Sequence, residues 1–208
     1  MIMNYKINTI IFDLGGVLVD WKPEYLYRKV FNGDEEKMNW FLQNVCTMEW
    51  NMEQDAGRTI EEATTVKIAE FPQYESLIRL FYAEWTQMFS GPIMENVELF
   101  KKLKASGNYK IYALTNWSAE KWEVALELFP FFKDFDGVVV SGQEKTRKPF
   151  PAIYKIILNR YQINPEKTIF IDDNLDNIVA ANNLKIQGIH FKRTISLKKE
   201  LHFAQLKY

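Results

Sequence analysis

The stretch Ile7-Asn8-Thr9-Ile10-Ile11-Phe12-Asp13-Leu14-Gly15-Gly16-Val17-Leu18-Val19-Asp20 opens on an apolar run with β-branched residues, stops at an aspartate and passes into two glycines. A short buried strand over 7–12 entering a tight turn explains that order. Asp20-Trp21-Lys22-Pro23-Glu24 then reads as a helix start, with Asp20 as its cap and Pro23 in the first turn. From Pro23 to about Ser90 the chain is rich in Glu, Lys, Met and aromatic residues, and apolar positions recur at helical spacing. Gly33, Gly57 and Phe71-Pro72 punctuate this region, which predicts three to five helices and no strand; Gly91-Pro92 closes it.

Beyond Pro92 the pattern alternates. Helices are expected over 95–105, 119–128, 151–161 and up to 183, strands over 110–114, 135–140, 167–171 and 185–190, and a loop over 142–149. An amphipathic helix is expected within 192–208. Such βα alternation implies an α/β fold whose sheet is largely parallel, with helices on both faces. The first strand lies before the helical block, so the block reads as an insertion. Residues 1–19 and 92–208 are expected to form one core, and 20–91 a helical insert.

The 208 residues include 47% apolar and 15% aromatic side chains, and 26 basic against 27 acidic residues leave a net charge of −1. That excludes a disordered chain, a collagen-like chain and a strongly basic nucleic-acid binder. Cys46 is the single cysteine, so no internal disulfide can form, and a reducing, cytoplasmic setting is expected. The two histidines, His190 and His202, cannot make a three-histidine zinc site. The N-terminal residues lack the pattern of a signal peptide, and no apolar run has the length of a membrane helix. Neither nucleic acid nor membrane is expected as a partner, and a monomer or weak dimer is expected.

Three expected strands end in polar residues: Asp13, Thr115-Asn116 and Asp172-Asp173. In a parallel sheet these ends share one edge, where ligands bind. Carboxylates beside a hydroxyl and a lysine can bind a divalent cation and a phosphate together. Asp13 and Asp173 offer hard oxygens suited to magnesium, and Lys148 a matching positive charge. Each residue also has a plainer reading: a turn or cap for Asp13, caps for Thr115 and Asn116, a cap and a surface charge for Asp172 and Asp173, and solvated loop charges for Arg147 and Lys148. No phosphate-binding Gly-Lys-Ser/Thr loop, dinucleotide fingerprint or Gly-x-Ser-x-Gly elbow is present.

Four ordered segments carry a resemblance: Phe12-Asp13-Leu14-Gly15-Gly16-Val17-Leu18-Val19-Asp20, Ala113-Leu114-Thr115-Asn116-Trp117-Ser118, Lys148-Pro149 with Ile153-Tyr154, and Ile169-Phe170-Ile171-Asp172-Asp173-Asn174-Leu175-Asp176-Asn177. Together they resemble the haloacid dehalogenase-like hydrolase superfamily, mostly magnesium-dependent phosphatases with a Rossmann-like sheet and an inserted α-helical cap. The resemblance implies Asp13 as nucleophile forming an aspartyl-phosphate, and Thr115 and the Asn116 backbone N–H as phosphate ligands. It implies Lys148 holding Asp13 and the phosphoryl group, and Mg²⁺ on Asp13, the Gly15 carbonyl and Asp173, supported by Asp172. A small phosphorylated metabolite is the implied substrate.

Gly15 departs from the commoner pattern, which places a second, acid/base aspartate there. The variant resembles bacterial α-glucose-1-phosphate phosphatases and relatives of the phosphatase domain of mammalian soluble epoxide hydrolase. A sugar 1-phosphate suits it, because an anomeric hydroxyl departs with less help from an acid. Two alternatives stay open: a 2-haloacid dehalogenase, and a phosphate-binding regulatory homologue with weak catalysis. Trp21, Tyr25, Trp50, Trp85 and Trp117 are candidate pocket walls, Trp117 foremost, although it equally suits packing between core and cap. Cys46 is expected to be a small buried hydrophobe, and His190 structural.

Overall fold

The computed structural model describes residues 6–194, 196–203 and 206. The start of the segment read for a signal peptide (1–5) and parts of the tail (195, 204, 205, 207 and 208) lie outside the described residues. In chain order the elements are β1 (Thr9–Phe12), β2 (Val19–Trp21), α1 (Glu24–Val30), α2 (Glu35–Asn44), α3 (Met48–Asp55), α4 (Ile60–Glu70) and α5 (Glu75–Ala83). There follow β3 (Phe89–Pro92), α6 (Met94–Ala105), β4 (Lys110–Thr115), α7 (Trp122–Leu128), β5 (Gly137–Val140), α8 (Ser141–Glu144), α9 (Pro151–Arg160), β6 (Thr168–Asp172), α10 (Leu175–Asn183), β7 (Gln187–His190) and α11 (Leu197–Phe203).

Five strands form a sheet in the order β5-β4-β1-β6-β7, and every neighbouring pair is parallel. β1 is central and wholly buried, as its unbroken apolar run requires. Its side chains alternate between faces. Phe12 packs edge-on against Phe100 of α6, in a core cluster that also takes in Ile10, Trp122 of α7 and Leu197 and Leu201 of α11. Ile11 packs on the other face with Ile153, Tyr154 and Ile157 of α9 and Ile178 of α10. The chain leaves β1 towards β4 on one side and reaches β6 on the other. A crevice therefore opens beyond the carboxyl ends of these strands.

The helices α1–α5 form an insert between β2 and β3, which pair antiparallel with Val19 opposite Pro92 and Asp20 opposite Gly91. Asp34, Thr47 and Thr59 cap α2, α3 and α4 by accepting from the backbone N–H of Lys37, Trp50 and Glu62. Tyr27, Phe41, Trp50, Phe81 and Tyr82 form a buried aromatic cluster, and Cys46 is buried in the same apolar core. Among the described residues no helix is long and apolar enough to cross a membrane.

Three local readings are corrected. Asp20 is not a helix cap: it lies in β2, and α1 starts after Pro23 with no side-chain cap. Residues 89–90, expected to lie in a strand-free region that Gly91-Pro92 closes, belong to β3, because pairing with β2 draws them into extended backbone. The expected loop over 142–149 begins with the short helix α8, ended by Lys145 in a left-handed conformation.

Candidate active site

The parallel register aligns Phe12 with Ala113 on one side and with Ile171 on the other. Asp13, Thr115-Asn116 and Asp172-Asp173 therefore emerge at one edge, and the loop after α8 brings Lys148 in from the side. The Asn116 side chain fixes that loop: its Oδ1 accepts from the Lys148 N–H at 2.8 Å and its Nδ2 donates to the Lys148 carbonyl at 3.0 Å.

Lys148 is only 1% exposed, and its Nζ lies 2.9 Å from Asp13 Oδ1 and 2.7 Å from Asp172 Oδ2. Burial works against its charge, but the Asp13 and Asp172 carboxylates outweigh that and raise its pKa. Asp13 Oδ1 also accepts from the Leu14 N–H at 2.7 Å, which leaves Oδ2 for an incoming group. Burial raises the Asp13 pKa well above the usual carboxylate range; Lys148 opposes the rise, and Asp172 and Asp173 add to it. Asp172 is fully buried and also accepts from the Asn174 N–H at 2.8 Å and from Asn177 Nδ2 at 3.0 Å to each oxygen.

Asp13, Asp172 and Asp173 can each offer a carboxylate oxygen, with all three within 4.8 Å of one another. This all-oxygen donor set fits a hard divalent cation. Gly16 leaves room for it: φ is +73°, and a Cβ there would stand 2.0 Å from Asp173 Oδ2. We expect Gly16→Ala to cost about 1–3 kcal/mol through left-handed strain alone. It should also displace Asp173, lowering both the melting temperature and the affinity for Mg²⁺ in a titration. Gly15 differs, because its φ is not left-handed and none of the described residues lies within 4 Å of a Cβ built there. Thr115 Oγ1 is buried with no hydrogen-bond partner among the described residues, although Thr115 does not line the cavity. His190 ends β7, and its Nε2 shares a hydrogen bond with the Asp173 carbonyl at 3.0 Å.

Asp13, Gly15, Asn116, Lys148 and Asp173 border a cavity of about 230 Å³. Of the five aromatic candidates, Trp21, Trp85 and Trp117 line it. Tyr25 does not and donates instead to Asp20 at 2.7 Å, an aspartate that also pairs with Arg193 at 2.6 Å. Trp50 turns into the insert and donates from Nε1 to the Ala63 carbonyl. Trp117 serves both readings, since it also packs against Trp85, Phe89 and Phe132. Sequence reasoning missed Asn51, Met52, Asp55, Ser118 and Lys121 in the lining. Ser118 closes the quoted Thr115-Asn116-Trp117-Ser118 run, a signal that was available; the insert residues carry no comparable pattern.

The chain is similar to the sesquiterpene phosphatase astK of Aspergillus oryzae, at 26% identity over 92% of this chain and 93% of that one. It is similar, also at 26%, to a phosphorylated carbohydrates phosphatase of Thermotoga maritima, over 88% of this chain and 83% of that one. In fold it matches a HAD-family enzyme of Bacteroides thetaiotaomicron solved as a magnesium complex, with TM-score 0.70, 24% identity, and coverage of 95% of this chain and 99% of that one. A family model for a haloacid dehalogenase-like hydrolase matches residues 7–185. That match takes in every element bearing the edge carboxylates and Lys148, and the chain belongs to the haloacid dehalogenase-like hydrolases.

Proposed function

We propose that this chain, a haloacid dehalogenase-like phosphatase, hydrolyses a small phosphomonoester, a sugar phosphate such as a sugar 1-phosphate, through an aspartyl-phosphate on Asp13. The observation that carries the reading is Lys148, buried and shared between Asp13 and Asp172. It fixes the nucleophile and puts a positive charge where phosphoryl charge develops. Oδ2 of Asp13 attacks phosphorus. The unpartnered Thr115 hydroxyl and the Asn116 backbone N–H bind the phosphoryl oxygens. Asp172, with its oxygens already taken up by four hydrogen bonds, supports Lys148 from behind.

Asp13, Asp173 and the Gly15 carbonyl would hold Mg²⁺, with Asp172 beside them. The bound ion supplies charge neutralisation at the phosphoryl group. Residues 1–19 and 92–208 act as the catalytic core, and residues 20–91 as a cap that shields the site from water. A reducing cytoplasm suits Cys46, whose thiol burial pushes up to about 12 and so renders inert. The Met48, Met52 and Trp85 walls favour a second substrate reading, the phosphate of an apolar alcohol.

A metal-supplemented screen of sugar phosphates, prenyl monophosphates, nucleotides and an aryl phosphate tests these readings. Phosphate release is expected to vanish with chelator and return with Mg²⁺, with the highest kcat/KM on a sugar phosphate. Metal-independent chloride release from a 2-haloacid would establish the dehalogenase instead. Saturable phosphate binding without turnover of any substrate would establish the regulatory homologue.

A further inference from the structure

An alcohol leaves phosphorus readily only if its oxygen receives a proton, and the residues at the sheet edge have none to give. Asp13 is the proposed nucleophile, Asp172 is saturated by donors, Asp173 belongs to the cation cluster and Gly15 has no side chain. Lys121 also lines the cavity, with one of its three Nζ protons held by the Tyr82 carbonyl at 2.9 Å. The Tyr82 hydroxyl donates to Asn51 Oδ1 at 2.9 Å and accepts from Gln54 Nε2 at 2.7 Å.

One further carboxyl lines the same cavity as Asp13 and Gly15: Asp55, the last residue of α3. The turn after it is seated on the core. Gly57, at φ +100°, approaches so closely that a Cβ would lie 3.2 Å from the Gly142 carbonyl oxygen and 3.0 Å from Lys145 Cγ. That core segment runs on to Lys148, so the seating brings an insert carboxyl to the phosphoryl site. We propose that Asp55 is the proton donor and acceptor of the reaction, an inference that rests on the phosphatase reading.

The surroundings of Asp55 suit the task. It keeps some exposure because it borders the cavity, yet the protein around it makes ionisation costly. Burial pushes its carboxyl up to about 7, against the pull of Arg147 and Lys148 from the core loop. A donor with a pKa near the working pH both gives and regains a proton readily. In the first step the Asp13 Oδ2–phosphorus bond forms as the phosphorus–alcohol oxygen bond breaks. The electron pair of the broken bond goes to the leaving oxygen, which takes the Asp55 proton and departs as the alcohol. In the second step a water oxygen bonds to phosphorus and gives a proton to the Asp55 carboxylate. The aspartyl–phosphorus bond breaks and its electron pair returns to Asp13. The sum is ester plus water giving alcohol plus phosphate.

The test compares an alkyl phosphate with an aryl phosphate, whose phenolate departs without a proton. In the wild type the alkyl-to-aryl ratio of kcat/KM, with each constant corrected for the fraction of that ester present as dianion, should fall as pH rises through about 7, where Asp55 loses the proton that the alkyl oxygen needs. Asp55→Asn should lower kcat/KM for the alkyl phosphate by about 10²–10⁴-fold and remove that pH dependence. With the aryl phosphate it should give a burst of phenolate equal to the enzyme, then slow turnover as phosphoenzyme accumulates. Asp55→Glu should recover part of the alkyl rate. So should Gly15→Asp in the Asp55→Asn background, since the space around Gly15 is open.

A pH-independent ratio in the wild type overturns the proposal, whether or not the variants fold. Equal loss on both substrates without a burst, or a raised KM at unchanged kcat, also overturns it and leaves Asp55 a structural or substrate-contact residue. A wild type that releases no phosphate from either ester overturns the phosphatase reading itself, and this inference with it.

Discussion

Asp13→Asn is expected to cut phosphate release by roughly 10⁴- to 10⁶-fold, the scale on which losing a nucleophile is felt, while the fold persists. The amide is nearly isosteric, and Lys148 keeps its partner Asp172 at 2.7 Å. Stability gives an independent readout. Burial and the neighbouring carboxylates raise the Asp13 pKa in the folded state, with Lys148 opposing. A carboxyl whose folded pKa exceeds its unfolded value binds a proton more tightly when folded. It therefore penalises the native state as pH rises through the interval between the two values. Asn carries no such penalty. In metal-free buffer the variant should melt no lower than the wild type at pH 8, and its relative stability should decline towards pH 4. An inactive variant that is also unfolded at pH 8 would contradict this account.

Lys148→Met should do the reverse, losing both activity and stability. Removing one partner of a buried ion pair typically costs about 3–5 kcal/mol, because the remaining charge is left without compensation. Here two carboxylates, Asp13 and Asp172, would be left facing each other. The Lys148 pKa is raised in the folded state, so its contribution is complete below the unfolded lysine value and fades only as pH climbs through the folded one. The deficit should therefore hold across neutral pH and shrink in acid, where Asp13, its pKa raised by burial, takes up a proton and the repulsion falls away. Denaturant unfolding of wild type and variant at pH 5 and pH 8 checks this. Adding Asp172→Asn to Lys148→Met should recover part of the stability and none of the turnover. A deficit independent of pH would count against the charge argument.

The sheet was legible because its signals are local. The apolar run ending at Asp13, and the stops at Thr115 and Asp172, mark strands whose side chains face core on both sides. The sharing of one edge by these stops follows from parallel pairing alone. What escaped depends on distant partners. Phe89-Ser90-Gly91-Pro92 contains two residues that locally argue for a turn, and only pairing with Val19–Trp21 makes it a strand. The same pairing takes Asp20 away from the helix start, where it instead meets Tyr25 and Arg193. Lys148 has the local sequence of a solvated loop lysine, and its burial comes from two carboxylates far along the chain. Asp55 ends an acidic, weakly patterned helix, and nothing nearby in sequence tells it from its exposed neighbour Glu53.

The two short strands β2 and β3 lie side by side, so the chain leaves the sheet and returns to it at a single place. Closing a longer excursion costs only slightly more entropy than closing a shorter one, since the cost grows with the logarithm of its length. Helices between these two legs can thus be added, lost or exchanged during evolution while the catalytic edge keeps its register. This paired stem acts as a graft point, where the strand ends keep their register whatever the insert between the two legs carries.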